Sequence, residues 1–183
     1  MERQELKRIL QLEKKLYFPQ KRDYIRGLLL HEHQYAIWCY QKIMRREEYA
    51  ISNHRVILKY LLRRRRNVLG RKLGFFIPPF VFAEGLLIWH YGNIIVNGSC
   101  KVGKYCVLHG DNCLGNNGLS GNDCPVLGDH VDIGTGAKII GNVTVGSNVI
   151  VGAGAVVVRS VESDVVVGGV PAGVIRKISE QEE

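Results

Sequence analysis

The sequence predicts a mainly β protein, a parallel β-helix preceded by an α-helical segment, and three observations carry that reading. Aliphatic residues recur at intervals of six: Val96, Val102, Leu108 and Leu114, then Leu127, Ile133, Ile139, Val145, Val151 and Val157. Of the 21 glycines, 18 lie between Gly85 and Gly173, whereas only Gly27 and Gly70 precede Gly74. The first 74 residues carry 19 Lys and Arg against 7 Asp and Glu, and the remainder carry 6 against 10, so the net charge of +8 belongs to the first segment. The change of alphabet near Gly70 to Gly74 divides the chain into a helical segment, residues 1–73, and a β-helix, residues 74–183.

In the first segment, Leu6, Ile9, Leu10 and Leu16 recur at helical spacing, as do Tyr35, Trp38, Cys39 and Ile43, and then Val56, Ile57, Tyr60 and Leu61. Pro19 is expected to end the first helix, because it lacks a backbone N–H to continue the ladder. Ser52 or Asn53 is expected to cap the last helix, with Arg63, Arg64, Arg65 and Arg66 toward its carboxyl end. There a cation gains ~0.3–1 kcal/mol from the helix dipole.

In the second segment, a period of six describes a short strand plus a turn, repeated by translation. The aliphatics point inward and stack on their counterparts one coil away. The position two residues earlier is apolar or small as well: Ile94, Cys100, Cys106, Val131, Ala137, Val143, Val149 and Ala155. Glycine often follows the aliphatic, as in Leu127-Gly128 and Ile133-Gly134, and is read as a corner residue accepting left-handed backbone angles. Thirteen residues separate Leu114 from Leu127, two repeats plus one. The polar, glycine-rich stretch between them, from Gly115 to Pro125, is expected to leave the coil as a loop, where binding and chemistry concentrate.

Composition excludes several classes. With 183 residues, 46% hydrophobic and 23% charged, the chain is globular, and no run approaches the ~18 apolar residues of a membrane span. The charged start, Met1 to Glu5, lacks the apolar core of a secretory signal, so the expected location is the cytoplasm. Cys39, Cys100, Cys106, Cys113 and Cys124 form no C-x2-C doublet and are read as reduced thiols, not a structural zinc site. The basic excess is compatible with nucleic acid, acidic lipid or a solvated helical face. No nucleic-acid recognition motif accompanies it, and the solvated face is the simpler reading.

The hexad series, the loop and the closing Val167-Gly168-Gly169-Val170-Pro171-Ala172 together resemble the left-handed parallel β-helix, or hexapeptide-repeat, acyltransferases. Within that group the chain looks most like the short serine acetyltransferase-like proteins of bacterial polysaccharide synthesis. His90-Tyr91-Gly92-Asn93-Ile94-Ile95-Val96 looks like the segment carrying the family's catalytic histidine, and Ile133-Gly134-Thr135-Gly136-Ala137-Lys138-Ile139 resembles a coenzyme A-binding rung. The resemblance implies a cytoplasmic homotrimer, with a dimer of trimers as an extension, that uses acetyl-CoA as co-substrate and no metal. It assigns His90 as general base, and Gly115, Thr135, Ala153, Arg176 and Lys177 to the coenzyme. Trp89, Asp111, Asp123 and Cys124 fall to the acceptor side. In the larger serine acetyltransferases an aspartate stands at the position of Trp89, and an arginine and a histidine stand where this chain has Asp123 and Cys124. The implied acceptor is the serine hydroxyl, with a sugar hydroxyl or amine as the alternative and a non-catalytic trimeric scaffold as a third reading.

Acetyl transfer from a thioester to a hydroxyl needs a base, an oxyanion donor and placement, because the thioester is already activated. A neutral imidazole supplies the base and contributes ~10²- to 10⁴-fold. His109 lies 19 residues beyond His90, one 18-residue coil plus one, and is the second catalytic candidate. Asp111, Asp123 and Glu84 are the carboxylates considered for orienting His90. His31, His33, His54 and His130 are read as structural or solvated. Cys124 is read as a wall residue or an incidental small side chain, because no histidine adjoins it in sequence to activate its thiol.

Overall fold

The computed structural model describes residues 1–118 and 123–178. Four helices come first: α1 (Arg3–Tyr17), α2 (Lys21–Leu29), α3 (His33–Ser52) and α4 (Val56–Leu73). Fourteen short strands follow: β1 (Phe75–Phe76), β2 (Leu87–Ile88), β3 (Ile94–Val96), β4 (Lys101–Val102), β5 (Val107–Leu108), β6 (Cys113–Gly115) and β7 (Val126–Leu127), then β8 (Asp132–Ile133), β9 (Lys138–Ile140), β10 (Thr144–Val145), β11 (Ile150–Val151), β12 (Val156–Val157), β13 (Val165–Gly169) and β14 (Ala172–Lys177). They form three sheets: I, in the order β1-β3-β6-β9-β12; II, β10-β7-β4; and III, β14-β13-β11-β8-β5-β2. The chain visits the sheets in turn, and every pairing is parallel except the closing hairpin of β13 and β14.

All ten hexad aliphatics face the interior, none more than 5% exposed. The glycines after them act differently from the sequence expectation. A Cβ on Gly134 would lie 2.7 Å from the Ala153 amide nitrogen, so glycine is required by the close approach of the next coil and not by a left-handed angle. The left-handed angles fall elsewhere: between sheets II and III they belong to Tyr105, His130, Asn148 and Asp164, one on each coil. Side-chain contacts run along that corner, where the Tyr105 and His130 rings stack at 5.0 Å and Asn148 donates to Asp164 at 2.9 Å.

The helices cap the first coil through buried charge. Arg45 on α3 donates to Glu13 at 2.7 Å and Glu48 at 3.1 Å, and to the carbonyls of Phe82 at 2.9 Å and Ala83 at 2.6 Å. Glu48 accepts from the Phe80 amide and Glu13 from the Gly85 amide. Burial opposes the Arg45 charge, but Glu13 and Glu48 outweigh it and hold the guanidinium above its ordinary pKa. Glu47, also on α3, receives Arg63 at 3.1 Å and Arg66 at 2.7 Å from α4.

Three expectations for the helices change. The arginine cluster lies mid-helix, since α4 continues to Leu73 and ends on Gly74 in a left-handed conformation. Asn53 closes α3 by donating to the Tyr49 carbonyl and does not cap α4, which starts after Arg55. Val56, Ile57, Tyr60 and Leu61 are exposed, because α4 packs on α3 and β1 through Leu62, Arg66, Gly70 and Leu73 instead. Spacing alone identifies a helical face without saying which side of the helix the core lies on.

Replacing Arg45 by Met should destabilise the protein by ~3–5 kcal/mol, because Glu13 and Glu48 would remain buried without their cation. Denaturant unfolding of the parent and the variant measures that difference, and a loss under ~1 kcal/mol would show that the network does not hold the helices to the coil.

Candidate functional site

The site follows from two places where the coil carries extra residues. Ile88 lies over Leu108 and Val96 over Leu114, so eight residues in the first coil span what six span in the second. The excess leaves the stack at the corner between sheets III and I, which carries His90 and Tyr91. Likewise Leu114 to Leu127 takes thirteen residues where Val96 to Val102 takes six, with Val102 paired to Leu127. That excess leaves between sheets I and II. The described ends of this loop include Asn116, Asn117, Asp123 and Cys124, whereas Leu119 to Asn122 lie outside the described residues.

Because of the two extra residues, the coil offset at this point is 20, not 18: Leu87 pairs with Val107 and Ile88 with Leu108. Trp89 therefore stands over His109, and His90 over Gly110. The Trp89 amide donates to the Leu108 carbonyl, and the Trp89 and His109 rings lie 6.5 Å apart. The two histidines occupy consecutive coils, one position apart along the chain direction.

His109 is held by a carboxylate that the sequence reading did not select. Its Nε2 lies 2.9 Å from Oδ1 of Asp132, on the next coil of sheet III. With Nε2–H directed at Asp132, Nδ1 is left as the acceptor nitrogen. A strand pattern in which Val107, His109 and Asp132 all face outward on paired strands would have signalled this contact, but only once the coil offset was known. His90 has a different neighbour: His33, the first residue of α3, stacks on it with ring centroids 5.8 Å apart and planes 20° apart. His33 also meets Tyr91 edge-on at 6.1 Å. A residue read as structural or solvated thus touches the proposed base.

Two of the three carboxylates considered for His90 are otherwise engaged. Asp111 Oδ1 accepts from the Asn93 amide at 2.9 Å, which braces the His90 corner through its backbone. Glu84 pairs with Arg8, and with Lys104 at 3.2 Å; the Arg8 hydrogen bond is the largest cause that lowers its pKa.

Below His90 the same corner descends through Gly110 and Asp111, then Gly134 to Gly136, then Gly152 to Gly154, at about 5 Å per coil. Thr135 and Ala153 are exposed on it, and backbone bonds link its levels: Gly136 N–H to the Gly110 carbonyl, and Gly154 N–H to the Thr135 carbonyl, both 2.9 Å. Gly115 lies at the other edge of sheet I, beside a depression of about 400 Å³ lined by Phe76, Ile95, Asn97, Cys113, Asn116 and Ile140 among others. Arg176 and Lys177 are exposed on β14, opposite Val166 and Val165 and toward the far edge of sheet III. The chain therefore gathers His90, His109, Trp89, Asp111, Thr135 and Ala153 along one corner, and holds Gly115, Asp123 and Cys124 at another.

Cys124 does not sit as an acceptor wall. It is 4% exposed and packs in the interior next to Cys100. Burial first, and Cys124 second, push the Cys100 thiol up to about 12. Among the described residues no group of three or more His, Cys, Asp or Glu is placed to hold a metal ion.

No protein-family model matches the chain. A curated serine acetyltransferase of Synechococcus elongatus is 34% identical over 144 residues, 78% of this chain and 54% of the relative. One of Mycobacterium tuberculosis is 31% identical over 150 residues, 76% of this chain and 63% of the relative. The chain thus spans between half and two-thirds of the length of these relatives. Among solved structures, serine acetyltransferase from Brucella abortus superposes with a TM-score of 0.78 at 25% identity, covering 97% of this chain and 71% of that one. The homologues and structural neighbours are serine acetyltransferases, and the chain shares with them the left-handed β-helix of the hexapeptide-repeat acyltransferases.

Replacing Cys124 by Ala removes one sulfur from the core and should cost ~1–2 kcal/mol of stability while lowering acetyl transfer less than ~10-fold. Thermal melts together with thiol-release assays measure both; complete inactivation with an unchanged melt would place the thiol in the chemistry.

Proposed function

We propose that this protein is an acetyl-CoA-dependent O-acetyltransferase that transfers the acetyl group directly to the hydroxyl of serine, with His90 as general base. The observation that carries the reading is the corner on which His90, His109 and the exposed backbone of Thr135 and Ala153 are stacked. It is supported by relatives that are serine acetyltransferases, one of them solved with coenzyme A.

In this reading His90 takes the hydroxyl proton as oxygen attacks the thioester carbonyl, and the resulting imidazolium returns it to the leaving thiolate. Asp111 fixes the corner that presents the ring, and the stacked His33 limits its rotation. His109, oriented by Asp132, offers Nδ1 to the acceptor or to a water beside it. Glycine-flanked N–H groups of the lower corner supply donors for the coenzyme and for the tetrahedral oxyanion. Placing both substrates in one groove contributes as much as the base.

The separation of Gly115 and Asp123 from His90 across sheet I supports a homotrimer, in which the loop of one subunit meets the histidine corner of its neighbour. One observation favours the sugar alternative. Asp123 puts a carboxylate where an amino-acid acceptor would need a cation for its own carboxylate. A sugar hydroxyl carries no such charge.

Following thiol release from acetyl-CoA against L-serine, homoserine and a panel of sugars decides the acceptor; turnover with L-serine at least ~10-fold above every sugar supports the serine reading. His90→Ala should lower turnover by ~10²-fold or more with assembly and melting temperature unchanged. Activity within ~threefold of the parent would overturn the assignment of the base. Asp132→Asn should lower turnover ~10-fold, since His109 would lose its orienting carboxylate but remain in place.

A further inference from the structure

We propose that the outer face of α4 is a docking surface for an anionic lipid bilayer. The inner side of the helix already supplies its share of the core through Leu62, Arg66, Gly70 and Leu73, so the apolar residues on the outside are surplus to folding. They are large and contiguous: Val56 is 58% exposed, Ile57 79%, Tyr60 58% and Leu61 54%, all within the first two turns. The turns that follow are cationic. The helix carries no Asp or Glu, and although Arg63 and Arg66 are engaged by Glu47, Arg64, Arg65, Arg71 and Lys72 are exposed. Between them lies a shallow depression of about 450 Å³ lined by Tyr60, Arg63, Arg64, Asn67, Val68 and Arg71.

Apolar side chains beside unopposed arginines fit the boundary between lipid headgroups and acyl chains, where each kind of group finds its own solvent. No helix among the described residues is long and apolar enough to cross a membrane, so α4 would lie on the surface. A second copy of this chain fits the face less well. Two α4 faces together would oppose arginine to arginine, with no acidic residue on either helix to answer them. Nucleic acid would answer the cations but not Ile57 and Leu61.

The test is cosedimentation of the full chain with vesicles of phosphatidylcholine alone and of phosphatidylcholine and phosphatidylglycerol in equal parts. Binding should be at least ~10-fold stronger to the anionic vesicles and should weaken as salt is raised. The charge pair Arg64→Glu with Arg65→Glu, and separately the apolar pair Ile57→Ser with Leu61→Ser, should each reduce it at least ~10-fold. Circular dichroism and thiol release should be unchanged in both, because neither pair touches the core or the histidine corner. Equal binding to the two vesicles, or indifference to either pair, overturns the proposal. So does duplex DNA binding that depends on the arginines but not on Ile57 and Leu61. Self-association in sedimentation velocity that both pairs abolish, without vesicle binding, would assign the face to a second copy instead.

Discussion

Everything in the β-helix depends on keeping inward side chains directly above one another from coil to coil. A shift of one residue in a strand turns its interior side chain to the surface, so an insertion cannot be absorbed within a strand and must leave at a corner. Ten buried aliphatics enforce that rule from Val96 to Val157. Extra residues leave the stack at two corners, two at the His90 corner and seven after Leu114. Both departures bear on the proposed chemistry: the first lifts His90 and Tyr91 out of the stack, and the second creates the loop that carries Asp123.

The helical segment completes this arrangement from above. Arg45 is costly to bury, and its two carboxylates and two backbone carbonyls offset that cost only in one docked position. The position matters beyond stability, because the same helix begins with His33, and that ring stacks on His90. A network at one end of α3 and a ring contact at the other tie the proposed base to the helices. Helix α4, in contrast, spends its apolar first turns on the outside, which is why its amphipathic pattern misled the reading of its buried face.

The proposed site is distributed in a way that suits an assembly. His90, His109 and Asp132 belong to sheet III and its edge, whereas Gly115 and the loop lie across sheet I. The coenzyme and acceptor groups assigned by resemblance do not converge within one chain, and Arg176 and Lys177 on the terminal hairpin stand apart from both corners. Cys124, at the return of the loop, is turned inward onto Cys100.

The sequence by itself determined the hexad, the helical cap and the existence of the loop, because each is a local pattern: a period of six, a helical spacing, a break in register. It did not determine the partners of those residues. Asp132 reaches His109 only because the second coil has an offset of 25, a value set by the extra residues that leave the stack after Leu114. His33 reaches His90 only because buried charge fixes α3 over the first coil. The burial of Cys124 and the exposure of Ile57 were decided in the same way, by which neighbours packing brought to each side of an element. Contacts between residues far apart in the chain are properties of coil offset and docking, and no local spacing encodes either one.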